Sequence, residues 1–311
     1  MSTTPAGRGR HASAATSRRR PGWLLPVAGL ATVLLVLALT FVNQRANPSG
    51  LVPVSTLTTR DFHALVFSPS EPQTVFFGHH DGMLISCDAG ATWQPSSLSG
   101  AGAMSLVASP SNPERLYAAG HGVLMRSDNG GATWSTVPGP LAGADIHGFA
   151  ASTDDANRVY ALVIGEGLLA SNDGGTSWQP LPSTPASDIT ALAGGPGTTL
   201  FVADASGTVS RSDDGGQTWQ SGSIGAGMQV TSLAFDTRAG AVYAGAVMTG
   251  MNHGMLHRLP TDTSVWETLP FSGAGIPMAV AVSPHDERTL LLVNERGDVY
   301  RSQDAGATWR P

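Results

Sequence analysis

The chain has 311 residues, enough for one large domain or two ordinary ones, and it is rich in glycine (38) and proline (21) but poor in charge. That mixture suits many short strands and tight turns and argues against a helical bundle, and a single cysteine, Cys87, excludes an internal disulfide. Beyond residue 50 there are 11 Arg, no Lys and 23 acidic residues, a formal charge of −12, which argues against a nucleic-acid partner.

The chain opens on a basic segment. Arg8, Arg10, Arg18, Arg19, Arg20 and Arg45 lie within the first fifty residues, which hold no Asp or Glu. Between them, Trp23–Val42 is a run of 20 residues without a charge. As a helix it would span about 30 Å, the thickness of a bilayer's hydrocarbon core. The reading is a cytoplasmic Arg-rich tail over 1–22, a membrane anchor or signal sequence over 23–42, and a polar linker over 43–50. By the positive-inside rule the tail stays in the cytoplasm, and residues 51–311 lie outside it on a single-pass cell-membrane protein.

Next comes a repeat. "SCDAGATW" from Ser86 returns as "SDNGGATW" from Ser127, "SNDGGTSW" from Ser171, "SDDGGQTW" from Ser212 and "SQDAGATW" from Ser302. The closing tryptophans Trp93, Trp134, Trp178 and Trp219 are 41, 44 and 41 residues apart. Trp266, in the degenerate copy "LPTDTSVWETLP", divides the remaining interval to Trp309 into 47 and 43. A period of this size marks an array or a propeller. Each period holds four strand-like runs, as in "HALVFSP", "TVFFGHHD", "GMLISCD" and "WQPSS", separated by turn residues. Four short strands repeated radially make a β-propeller blade, so the fold expected is all-β and six-bladed.

The phrase itself has a mechanical reading. Asp88, Asn129, Asp173, Asp214 and Asp304 hold its third position and can accept bonds from backbone N–H groups of the turn. Glycine at the fifth supplies a φ that other residues avoid. The threonine hydroxyl adds a local bond, and the tryptophan plugs the space between blades. Repeated S-x-D-x-G-x-T-W resembles the Asp-box, or BNR, repeat of sialidases, family-74 xyloglucanases, sortilin-type receptors and photosystem II assembly factors. The resemblance covers about residues 60–311 and implies the fold; these families share blades rather than active sites.

The last phrase ends two residues before the last one given, at "TWRP", while "LVPVSTLTT" from Leu51 precedes the first inner strand. The strand 51–58 is therefore expected to complete the sixth blade and close the ring.

Two columns of residues face one end of the propeller. Aligning the blades on their first strands gives His63, Met104, His147, Thr190, Thr231 and Met278. Stepping back six residues from the box serine gives His80, His121, Gly165, Ser206, His253 and Arg296. Five of the nine histidines fall here: His63, His80, His121, His147 and His253. Imidazoles and thioethers converging on one funnel suit a transition metal, copper or zinc by ligand softness. A histidine before glycine in a turn can equally bond only to its own backbone. A glycosidase would need two carboxylates at the same end, and Glu166, Asp145, Asp188 and Asp61 are the candidates, with Asp81 and Glu295 beside them. A sialidase would need an arginine cluster and a tyrosine nucleophile, and all four tyrosines fall within predicted strands. The function expected is a binding or assembly module for a protein or small ligand, with a protein or glycan as the partner. The alternative is a glycoside hydrolase working in the funnel.

Overall fold

The computed structural model describes residues 50–310 other than 252, 272 and 273. The Arg-rich tail 1–22, the apolar run 23–42 and nearly all of the linker 43–50 lie outside the described residues, as does Pro311. Among the described residues there is no helix; the fold is all-β, six four-stranded antiparallel sheets arranged as the blades of a propeller.

A two-residue strand, β1 (Ser55–Thr56), comes first. Blade 1 is β2 (Ala64–Phe67), β3 (Val75–His79), β4 (Gly82–Ser86) and β5 (Gln94–Ser99). Blade 2 is β6 (Ser105–Ala108), β7 (Leu116–Gly120), β8 (Val123–Ser127) and β9 (Ser135–Thr136). Blade 3 is β10 (Ile146–Ala151), β11 (Val159–Val163), β12 (Gly167–Ser171) and β13 (Gln179–Pro180). Blade 4 is β14 (Ile189–Gly194), β15 (Leu200–Asp204), β16 (Thr208–Ser212) and β17 (Gln220–Ser223). Blade 5 is β18 (Met228–Asp236), β19 (Ala241–Met248), β20 (Gly254–Pro260) and β21 (Glu267–Leu269). Blade 6 is β22 (Pro277–Val282), β23 (Leu290–Asn294) and β24 (Asp298–Ser302), with β1 as its fourth member. The first strands neighbour one another in chain order, and β22 returns beside β2.

Position in the blade explains each strand's composition. A second strand is covered on both faces by the adjacent blades, so it is apolar throughout: "LYAAG" in β7 and "LLLVN" in β23 are buried along their whole length. A fourth strand lies at the rim with few neighbours. "QSGS" in β17 is exposed throughout and carries no apolar side chain. Between blades sit separate hydrophobic clusters, each holding one tryptophan. Trp93 packs between blades 6 and 1, Trp134 between 1 and 2, and Trp178 between 2 and 3. Trp219, Trp266 and Trp309 continue the series around the ring. Each thus seals its own blade against the one before it.

Closure is a joint product of two distant segments. Ser55 and Thr56 stand opposite Val299 and Asp298 on β24, and Arg310 bridges to Arg301 on the same strand. The Val54 and Leu57 amides donate to the Val299 and Gly297 carbonyls at 2.7 and 2.8 Å. Of residues 51–58 only two form ladder pairs, and Pro53, which has no N–H, stands just before them. Leu57 is buried in the cluster between blades 6 and 1, so this segment is held by packing as well as by hydrogen bonds.

Candidate functional site

The repeated phrase builds the same turn at one end of every regular blade. In the first, the Ser86 hydroxyl donates to Asp88 Oδ1 at 2.8 Å and accepts the Gly90 amide at 2.8 Å. The Thr92 amide donates to Asp88 Oδ1 at 2.8 Å, and its hydroxyl donates to Oδ2 at 2.6 Å. Asp173, Asp214 and Asp304 repeat this pattern. At Asn129 the last bond reverses: the amide Nδ2 donates to the Thr133 hydroxyl at 2.7 Å. The fifth-position glycines have φ between 84° and 92°. These carboxylates are consumed by their own turns. Hydrogen bonds from the Ser177 and Thr218 hydroxyls first, then from backbone amides, hold Asp173 and Asp214 at a pKa of about 2.

The opposite end is the mouth of the central channel. The column His63, Met104, His147, Thr190, Thr231 and Met278 lines a single cavity there of about 220 Å³. Around its rim the histidines are gathered on three consecutive blades. The His63 and His80 rings meet edge to face with centroids 4.5 Å apart, His80 stacks on His121 at 6.0 Å, and His121 meets His147 at 5.2 Å.

The local chain explains this gathering. The loop 100–104 is pinched between the β3–β4 and β7–β8 turns. The Ala103 amide donates to the His79 carbonyl at 3.0 Å, and a Cβ at Gly120 would lie 2.3 Å from the Gly102 carbonyl oxygen. Only glycine permits that approach, and it carries His121 to within stacking distance of His80. On its other side His121 forms a β-bridge with Asp145, so one turn reaches both neighbouring blades.

Two carboxylates stand among the rings. In blade 1, His80 Nδ1 lies 2.8 Å from Asp61 Oδ2 and 3.0 Å from His63 Nε2, while His63 Nε2 is 3.7 Å from Asp61 Oδ1. The His80 amide donates to Asp61 Oδ1 at 2.9 Å. In the second group Asp145 Oδ1 lies 2.5 Å from His121 Nδ1 and 3.2 Å from His147 Nε2. Burial and the neighbouring His80 pull the His63 imidazole below its ordinary pKa, against the pull of Asp61. Burial works to raise Asp61, but bonds from the His80 backbone and ring, with the charge of both histidines, hold it below the usual carboxylate range.

Of the residues singled out in the sequence, His63, His80, His121, His147, Asp61 and Asp145 come together. His253 joins neither group. It sits in the β19–β20 turn of blade 5, across a six-membered ring from blade 2. Glu166 and Asp188 are exposed and also join neither group. The four tyrosines are fully buried in their strands. One signal passed over in the sequence is Asp-x-His, which occurs just ahead of the first strand as Asp61-Phe62-His63 and again as Asp145-Ile146-His147. It ties each carboxylate to a histidine.

The model of a family described as the DUF6242 beta propeller domain matches residues 116–311, from β7 to the last residue. The chain belongs to that family. No curated protein matches it. Among solved structures, the chain is similar to a GH74 xyloglucanase from Xanthomonas campestris, at 19% identity and a TM-score of 0.57 over 80% of this chain and 46% of that one. It therefore spans less than half the length of that enzyme. It is also similar to YCF48 bound to D1 peptide, at 18% identity and a TM-score of 0.52 over 84% and 82% of the two chains. It is similar as well to YCF48 from Cyanidioschyzon merolae, at 17% identity and a TM-score of 0.52 over 83% of this chain and 87% of that one. At these identities the likeness establishes the propeller fold, and it agrees with the BNR-type resemblance of the repeats.

Proposed function

We propose that this DUF6242-family chain is a membrane-anchored propeller that presents the mouth of its channel, outside the cytoplasm, to a protein or glycan ligand. The observation that carries the reading is the concentration of His63, His80, His121, His147, Asp61 and Asp145 on one rim, beside a cavity that first-strand residues of all six blades line. The box turns at the opposite end bond their own carboxylates internally. The uncharged run Trp23–Val42 and its basic flank support the anchor. Among similar propellers, YCF48 is known bound to a D1 peptide, which supports a protein ligand.

A second reading, a glycoside hydrolase, draws on the likeness to a GH74 xyloglucanase and on Asp61 and Asp145 at the mouth. Its carboxylates would have to leave their histidines to protonate or attack a sugar. The full chain in its native membrane, carrying a photo-cross-linking residue at Thr190 on the mouth or at Gln217 on a box turn, separates the two faces. Discrete adducts are expected from Thr190 and none from Gln217. Equal adducts from both would reject the mouth as the binding face. Release of sugar from xyloglucan or aryl-glycosides, lost in Asp61→Asn or Asp145→Asn, would favour the hydrolase.

A further inference from the structure

The two Asp–His–His groups are assembled by different routes yet present the same donor atoms. In blade 1 everything comes from one blade: Asp61 and His63 ahead of β2, and His80 from the β3–β4 turn. Blade 2 has a turn histidine, His121, but Gly102-Ala103-Met104 where Asp-x-His would stand. Blade 3 has Asp145-Ile146-His147 but Gly165 at its turn position. The ring joins these two halves, and His121 of blade 2 supplies what blade 3 lacks. Each group then offers a turn-histidine Nδ1, the Nε2 of an Asp-x-His histidine and a carboxylate, with one ligand atom of each residue within 4.8 Å of the other two.

We propose that the mouth binds two divalent transition-metal ions, one held by Asp61, His63 and His80 and the other by His121, Asp145 and His147. This rests on the mouth being the binding face and names what that face holds. Zinc bonds of about 2.0–2.2 Å at the tetrahedral angle place neighbouring donor atoms about 3.3 Å apart. The separations of 2.8, 3.0 and 3.7 Å in one group bracket that value, and those of 2.5 and 3.2 Å in the other lie below it. Two imidazoles and one carboxylate, without thiolate, suit zinc, iron(II), copper(II) or cobalt(II) rather than calcium or magnesium. The first group also carries an orienting bond, from the His80 amide to Asp61 Oδ1. Three protein ligands per ion leave room for water or an oxygen-donor ligand, which fits a site at a cavity mouth rather than a closed structural one. Side-chain exposures of 45% at His80 and 51% at His121 give an ion an open approach.

The test uses the full chain in detergent, stripped with a chelator and titrated with Zn²⁺ alone, with bound metal counted by elemental analysis after desalting. Two equivalents are expected in the wild type. His80→Ala and His121→Ala should each retain one, the double variant none, and His253→Ala two. Co²⁺ should reproduce the counts and show visible bands of low-coordinate cobalt that halve in each single variant. The near-isosteric Asp61→Asn and Asp145→Asn repeat the losses without cutting a ring. No retained zinc in the wild type overturns the proposal. So does zinc that survives in the double variant, or a single equivalent abolished by either variant, which would mean one shared site. If zinc fails to bind while Thr190 still cross-links, the metal falls and the binding face stands.

Discussion

The two ends of this propeller are built from the same strands and follow opposite rules. At the box end, five turns repeat one set of hydrogen bonds almost atom for atom, and even Asn129 preserves the turn by reversing a bond. At the mouth, equivalent positions carry His80, His121, Gly165, Ser206, His253 and Arg296. Uniformity marks what every blade needs in order to pack. Divergence marks where the fold asks nothing, and there side chains are free to meet a ligand.

The contrast breaks most directly under substitution of one residue from each end. Trp178 is buried between blades 2 and 3, and Trp178→Ala should cost about 3–5 kcal/mol in chemical unfolding. His121→Ala, in an exposed ring on the mouth, should change stability by less than about 0.5 kcal/mol in the absence of metal. Comparable losses from the two would dissolve the distinction between an architectural and a functional end.

A smaller effect sharpens it. The fourth box position is also left-handed: glycine holds it in three blades, but Ala89 and Ala305 adopt φ of 56° and 58°. Ala89→Gly and Ala305→Gly should each stabilise the fold by about 0.5–1 kcal/mol, read as a rise in the unfolding midpoint. A loss of stability in both would show that the methyl groups contribute packing that outweighs their backbone strain.

The smallest effect concerns acid. Asp173 and Asp214 titrate near 2 when folded and near 4 when unfolded. Their depressed folded values make the contribution full above pH 4 and lost as the pH falls toward 2. Asp173→Asn with Asp214→Asn, copying blade 2, should flatten the stability profile across that window, with the loss present above pH 4 and vanishing toward pH 2. An unaltered acid limb would place the proton uptake elsewhere. The other carboxylates remain in the double variant, so the difference between its acid limb and that of the wild type reports on Asp173 and Asp214 alone.

Much of this was legible in one dimension. The tryptophan spacing revealed the period, four strand-like runs per period revealed the blade, and the box glycines revealed their φ, because each strand and turn of a blade is set by residues close along the chain. The column through the first strands was legible too, since the Ser-Pro that follows the first strand in blades 1, 2 and 6 aligns the blades, and Met104, Thr190, Thr231 and Met278 line the same cavity as His63 and His147. His253 falls in the same turn of its blade, as counted, but blade 5 stands across the ring from blade 2 and His253 joins neither group. Partnership among the acids was not legible at all. Asp145 meets His121 only because a ring sets blade 2 beside blade 3, where the two residues form a β-bridge; a carboxylate and an imidazole 24 positions apart have no local reason to touch. Sequence alone determined the blade, because blades are held by neighbours along the chain. Tertiary structure decided the site, because pairing within blade 1 brings Asp61 and His63 to His80, and only the ring brings His121 of blade 2 to Asp145 and His147 of blade 3.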